Sequence, residues 1–275
     1  MVKPLATILV VLTLFVGPAA FAQAVSSPEP ADPLPGQSGG TYADLVQLVA
    51  PGIVLDGDAY TGGHSLDIRH LAGWDEGVPL PEAGHLHISA LPLDSRLVLL
   101  LDFGPTEYDV AEIAILALFD LADVPRLLDA ANAGAQRWTG FFEPAHIPLG
   151  DDAGLLLTQS THFNSSQGYA TLTLTLARDG RFELIDMVST LSENLCAYER
   201  TQSLDVKPAA AEPLADIMVV VTDETTPHAE TCSDAAPEPG TNEIAVTYHW
   251  DAAAGRYTAD SDAFDVLARE NEARF

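Results

Sequence analysis

From residue 41 onward the chain alternates between apolar and polar positions with a period of two. Leu86, Ile88 and Ala90 are interleaved with His85, His87 and Ser89, the pattern of a strand with one buried face. Leu172, Leu174 and Leu176 face one way, and Thr171, Thr173 and Thr175 the other. Asp179-Gly180 follows, and the run from Phe182 to Val188 returns. Asp-Gly between two such runs predicts a hairpin, because both residues tolerate the left-handed backbone of the tight turn. Ile244, Val246, Tyr248 and Trp250 alternate in the same way, and residues 251–255 turn that strand back into Arg256-Tyr257-Thr258. Leu97 to Leu101, Ile113 to Phe119 and Ile217 to Val221 are continuous apolar runs suited to a sheet interior. The second is also compatible with a helix, since periodicity does not separate the two in so short a run.

Three stretches carry helix signals. Thr41 and Asp44 have capping-box spacing, with Asp in place of the usual Glu. Leu45, Leu48 and Val49 then form a stripe that Pro51-Gly52 stops. Asp123, Pro125 and Gly134 bracket Leu127-Leu128 and Ala130-Ala131, which predicts a helix from its start and stop residues. Asp262 with Asp265 can cap a last helix from Ala263 towards Arg274. Many short strands and few helices predict a mainly β fold, as a sandwich, a partial propeller or a barrel-like sheet. No internal repeat is visible, so one domain over residues 41–275 is expected.

The first 40 residues read differently. Lys3 precedes an apolar run from Leu5 to Val16, and small residues follow at Ala20, Ala22 and Ala24. This is the pattern of a secretory signal peptide over residues 1–22, cleaved after Ala22 or Ala24. The run is too short to span a bilayer comfortably, so no stable membrane insertion is expected after cleavage. Residues 23–40, rich in Pro and Gly, read as a flexible linker. The leader implies a bacterial exported protein, periplasmic or secreted. In that oxidising setting Cys196 and Cys232 are expected to form one disulfide. It would close a loop of about 36 residues, worth ~3–4 kcal/mol by the loop-entropy model.

Charge narrows the partners. The chain has 40 Asp plus Glu against 12 Lys plus Arg, a formal net charge of −28. Nucleic acid is excluded as a main partner, because phosphate binding needs a basic footprint. At 47% hydrophobic residues the chain has enough apolar material for a core, so the acidity belongs to a surface. Attraction of a basic protein partner is the functional counterpart of that surface.

Several short motifs lack the context their chemistry needs. Gly36-Gln37-Ser38-Gly39-Gly40 has nucleophile-elbow spacing but follows a Pro-rich segment rather than a strand. Asp102-Phe103-Gly104 matches a kinase tripeptide, but without the leader the chain keeps one lysine, Lys207, far downstream, and it has no H-R-D segment. Asp56-Gly57-Asp58 opens like a calcium loop, but Tyr60 and Thr61 stand where that loop needs Asp or Asn and Gly.

Two clusters remain. His85 and His87, two apart on a strand, point to one face and can offer two imidazoles to one divalent metal ion. His64, His70 or Asp67 could supply the third ligand. The alternative is an amphipathic strand whose polar face carries two histidines. In Thr158 to Gln167, Thr161, His162, Asn164 and Gln167 offer donors and acceptors for a small polar ligand such as a sugar. His162 there could act as a general base if a carboxylate oriented it. The alternative is a turn whose side chains satisfy its own backbone. The expectation is therefore an exported soluble protein with a binding or structural role and no required cofactor. An exported hydrolase or metal-dependent enzyme using His162 or the His85/His87 face is the first alternative. An acidic partner or inhibitor of a basic envelope protein is the second.

Overall fold

A computed structural model describes residues 24–73, 77–93, 95–105, 112–122, 124–228, 232 and 237–275. The leader over residues 1–22 lies outside them. Helix α1 (Tyr42–Val49) is followed by the short strands β1 (Val54–Asp56), β2 (Ala59–Thr61), β3 (Ser65–Leu66), β4 (Val78–Pro79) and β5 (Ala83–His85). A first meander comprises β6 (His87–Leu93), β7 (Arg96–Pro105), β8 (Glu112–Asp120) and β9 (Arg126–Asn132). A second comprises β10 (Trp138–Pro148), β11 (Ala153–Phe163), β12 (Gln167–Arg178), β13 (Arg181–Asn194), β14 (Tyr198–Pro208), β15 (Ile217–Pro227), β16 (Gly240–Asp251) and β17 (Arg256–Ala259). Helix α2 (Ala263–Glu272) ends the element order. Each meander is one antiparallel sheet with its strands in sequence order, of four and eight strands. β10 and β17 are the outer strands of the larger sheet, so it does not close into a barrel.

The apolar runs decide the layers. In β7 and β8 the odd residues Leu97, Leu99, Leu101, Ile113, Ile115 and Phe119 pack with Leu45, Val46 and Val49 of α1. The even residues Val98, Leu100, Leu116 and Leu118 face the larger sheet and meet Leu156, Ala177 and Phe182. A strand buried on both faces has no polar side to alternate, which is why these stretches read as continuous apolar runs. On the far face of the larger sheet Leu155, Leu157, Leu172, Leu174 and Leu176 pack with Val219, Val221, Val246 and Tyr248. The Asp179-Gly180 hairpin forms as expected, with φ of +52° and +74° at its two turn residues.

The larger sheet folds over between β13 and β14. These strands pair only at Glu193–Arg200 and Asn194–Glu199, whereas β14 and β15 pair from Tyr198–Pro227 to Pro208–Ile217. Helix α2 fills the gap where rungs are missing. Phe264 and Leu267 enter the core, and the Asn271 amide donates to the Ser189 carbonyl at 3.2 Å. Gln202 Oε1 accepts the Leu191 N–H at 2.8 Å, so side chains replace lost ladder bonds. Cys196, in the turn between β13 and β14, is bonded to Cys232.

Three expectations need correction. Leu127 to Ala131 belong to the strand β9, not to a helix. Pro125 and Gly134 punctuate a strand as well as a helix, and pairing with β8 decides the matter. Asp123 is outside the described residues. Second, residues 24–40 lie against the fold rather than forming a loose linker. Ser26 exchanges backbone hydrogen bonds with Ala90 at 2.9 and 2.8 Å, and Leu34 is buried in the core with α1. Third, α2 forms without a side-chain cap from Asp262. The Thr41 cap of α1 is present, with its N–H and hydroxyl both donating to the Asp44 carboxylate.

Candidate functional site

Four pieces of chain converge beside β6. The Ser26–Ala90 pairing lays residues 27–30 along that strand. The tight turn between β1 and β2, with Gly57 at φ +61°, presents Asp58. The Asp58 carbonyl accepts the Leu86 N–H at 2.7 Å, which ties this turn to the β5–β6 junction. The end of β7 brings Asp102, whose Oδ1 accepts the Gly104 N–H at 2.8 Å. Together they line an open groove of about 530 Å³.

The chemistry of the groove is one-sided. Its walls carry Glu29, Asp58, Asp102, His85 and His87, and no lysine or arginine is among the described residues that line it. Leu86 and Ile88 are each 2% exposed, so both anchors point inward and their histidine neighbours point out into the groove. His85 Nδ1 faces Asp58 Oδ2 at 3.3 Å. His87 lies directly opposite Asp102 in the antiparallel register of β6 and β7. Directly opposed residues share a face, with Cβ atoms about 4.5–5.5 Å apart.

The other expected metal ligands are elsewhere, which corrects the earlier choice of a third ligand. His64 and Asp67 line a separate groove with Arg69 and Asp129. His70 is buried, with Nε2 against the Gly134 carbonyl at 3.1 Å and Nδ1 accepting the Ala72 N–H at 3.0 Å. Among the described residues no three His, Cys, Asp or Glu side chains already converge as a metal cage.

The polar stretch at Thr158 to Gln167 forms the β11–β12 turn and its approaches. Asn164 Oδ1 accepts the N–H groups of Ser166 and Gln167 at 3.0 and 2.8 Å. Gln167 Nε2 reaches across to the Glu193 carboxylate at 3.1 Å and to the Arg274 carbonyl at 2.7 Å. Arg274 in turn pairs with Glu193. The His162 ring stacks edge-on against Phe275 at 5.4 Å, and Thr161 sits opposite Ala170 in the ladder. Asn164 and Gln167 therefore hold the turn and the end of α2, while Thr161 and His162 flank them. No carboxylate of the described residues forms an ion pair or hydrogen bond with His162.

Other perturbed groups tie the layers together. The Arg69 guanidinium meets Asp129 through two 2.8 Å hydrogen bonds, and Asp129 also accepts the Phe182 N–H at 2.7 Å. Burial acts to raise the Asp129 carboxyl, but these donors outweigh it and hold it below its ordinary range. Asp186, on β13, is the opposite case. Burial dominates and raises it, although the Tyr248 hydroxyl donates to it at 2.5 Å.

Three of the groove residues escaped the sequence reading. Glu29 was hidden in the presumed linker, Asp58 in a failed calcium pattern and Asp102 in a chance tripeptide. The one available signal was the same-face spacing of His85 and His87. Comparison of the chain with protein-family models, curated proteins and solved structures finds no match in any of the three. The fold and groove thus define it only by class, as a β-rich protein with an acidic, imidazole-bearing cleft.

Proposed function

We propose that the chain is an exported binding protein, and that the groove beside β6 is its recognition surface for cationic ligands. One observation carries this reading. Three carboxylates and two imidazoles share a concave surface with no lysine or arginine among the described residues that line it. Its volume falls within the roughly 300–1,000 Å³ typical of ligand sites. A net charge of −28 adds long-range attraction for any cation approaching it. The leader pattern and the Cys196–Cys232 bond support export. No helix of the described residues is long and apolar enough to cross a membrane. The hydrolase reading has less support, because His162 rests on Phe275 and has no carboxylate partner among the described residues.

Calorimetric titration with spermidine, and separately with a short lysine- and arginine-rich peptide, tests the binding role. Binding that weakens at least tenfold in Asp58→Asn/Asp102→Asn supports it. An unchanged affinity in that variant, or no binding of either probe, overturns it. Export is tested by sequencing the mature protein, whose first residue should be Gln23 or Val25.

A further inference from the structure

We infer that the groove is also a site for one divalent transition-metal ion, with His85 and His87 as its nitrogen donors. This rests on the reading of the groove as a surface for cations, and it names one cation class. The backbone supplies the first reason. His85 ends β5 and His87 begins β6, and with Leu86 and Ile88 buried beside them both exposed histidines line the same groove. Residues two apart on an extended chain have Cα atoms about 7 Å apart, a span that two imidazoles can close around one ion.

The second reason is the way each imidazole is held. A carboxylate only accepts hydrogen bonds, so the His85 nitrogen that faces Asp58 must carry the proton. In the neutral ring this puts the proton on Nδ1 and directs the Nε2 lone pair away from Asp58. A carboxylate behind a ligating histidine is the usual arrangement at metal sites, where it raises ligand basicity and locks the ring. The register gives His87 its own facing carboxylate in Asp102. Each donor thus has an acidic neighbour, and Glu29 adds a third negative charge to the same wall.

The donor set also selects the ion. Two imidazoles suit zinc, nickel or copper(II), whereas calcium needs six to eight oxygen ligands. Because no three His, Cys, Asp or Glu side chains of the described residues converge in advance, the ion must draw them together. The His85 and Asp58 side chains are 78% and 68% exposed, so they can turn without disturbing the core.

Titration of the purified protein with zinc, nickel and calcium, followed by histidine ring NMR, tests the inference. One equivalent of zinc or nickel should shift the rings of His85 and His87 and leave His70 and His162 unmoved. The double variant His85→Ala/His87→Ala should lose that binding at least a hundredfold. Asp58→Asn should weaken it about 10–100-fold, the usual effect of removing an orienting carboxylate. Both variants should keep the melting temperature of the parent, since all three positions are exposed. The inference is overturned by binding that survives in the double variant, by shifts at other histidines, or by a response to calcium alone. Spermidine separates the two levels. If it binds through Asp58 and Asp102 while zinc and nickel do not, the metal site falls and the cation groove stands. If none of them binds, both fall.

Discussion

Replacing Asp129 with Ala tests how the two halves of the chain are joined. Asp129 lies on β9 in the smaller sheet; besides the Ala130 N–H of its own strand, its partners come from outside that sheet. Arg69 donates to both of its oxygens, and the Phe182 N–H, from the start of β13, donates to Oδ2. Arg69 also donates to the Phe182 carbonyl at 2.9 Å, so one carboxylate and one guanidinium clasp both backbone groups of Phe182. The variant removes two charge-assisted bonds and leaves the Phe182 N–H without its acceptor. Breaking a buried pair costs about 3–5 kcal/mol. The side chains are 12% exposed for Asp129 and 32% for Arg69, and Arg69 keeps two carbonyl partners. Discounting for that exposure gives a loss of roughly 2–4 kcal/mol.

For a domain of this size about 1 kcal/mol shifts Tm by roughly 2–4 °C, so a fall of roughly 5–15 °C is expected. Scanning calorimetry at pH 7 measures it. Acid unfolding gives a second reading. A carboxyl held low in the folded state adds stability above its unfolded pKa of about 3.9, and that stability is lost as pH falls through the lower folded value. Asp129→Ala should therefore fall furthest behind the parent near neutral pH and approach it in strong acid. A loss below about 0.5 kcal/mol, the range of ordinary surface substitutions, would show that the clasp contributes nothing. So would a deficit independent of pH.

Three further outcomes follow from the same geometry. Asp186→Asn keeps an acceptor for Tyr248 but removes a buried charge. A raised folded pKa gives stability that is present below the unfolded value and lost as pH rises through the folded one, so the variant should gain on the parent between pH 4 and 8 in urea unfolding. Asn271, fully buried, binds Gln202 and the Ser189 carbonyl; Asn271→Ala should lower stability by about 1–3 kcal/mol in the same assay, and no change would remove α2 from the account of how β13 and β14 are sealed. Reducing Cys196–Cys232 should cost about 2–5 kcal/mol and add two alkylation sites by mass spectrometry, whereas full alkylation without reductant would disprove the bond.

What the sequence made legible was local. Strict alternation in Leu172–Leu176 and Ile244–Trp250 marked both strands. In Ile244–Trp250 it follows burial, with Val246 and Tyr248 buried and their neighbours more exposed, whereas in β12 Thr171, Thr173 and Thr175 are buried as fully as the leucines between them. The Asp179-Gly180 turn was legible because its backbone angles demand those residues. Register was not legible. Nothing in the order of residues places His87 opposite Asp102, since that pairing follows from the length and curvature of the β6–β7 hairpin. The segment from Ser26 to Gly40 misled for a related reason. It is held by backbone bonds, by the buried Pro30 and Leu34 and by the Gln37 amide, which donates to the Leu121 carbonyl, and composition records none of these placements. The parting of β13 and β14 was equally silent, because Gln202 and Asn271 look like ordinary polar residues until the missing rungs they replace are seen.

The excess acidity is divided in a way that bears on the groove. Arg69, Arg96, Arg126, Arg178, Arg200 and Arg274 each have a carboxylate partner. Several of those pairs sit where layers meet. Arg200 reaches Asp223 beside Gln202, Arg274 reaches Glu193 at the end of α2, and Arg69 holds Asp129 against Phe182. Buried carboxylates need such partners, because an unpaired charge out of water is costly. A chain with so few basic residues therefore commits many of them to its interior seams. Carboxylates gathered in an open groove face the reverse situation. Water reaches them, and the partners that Asp58 and Asp102 do have, the His85 ring and the Gly104 N–H, bring no fixed positive charge. Their mutual repulsion is a small standing cost that a bound cation would relieve. The groove is where that relief is concentrated, because concavity focuses the field of several like charges on one volume.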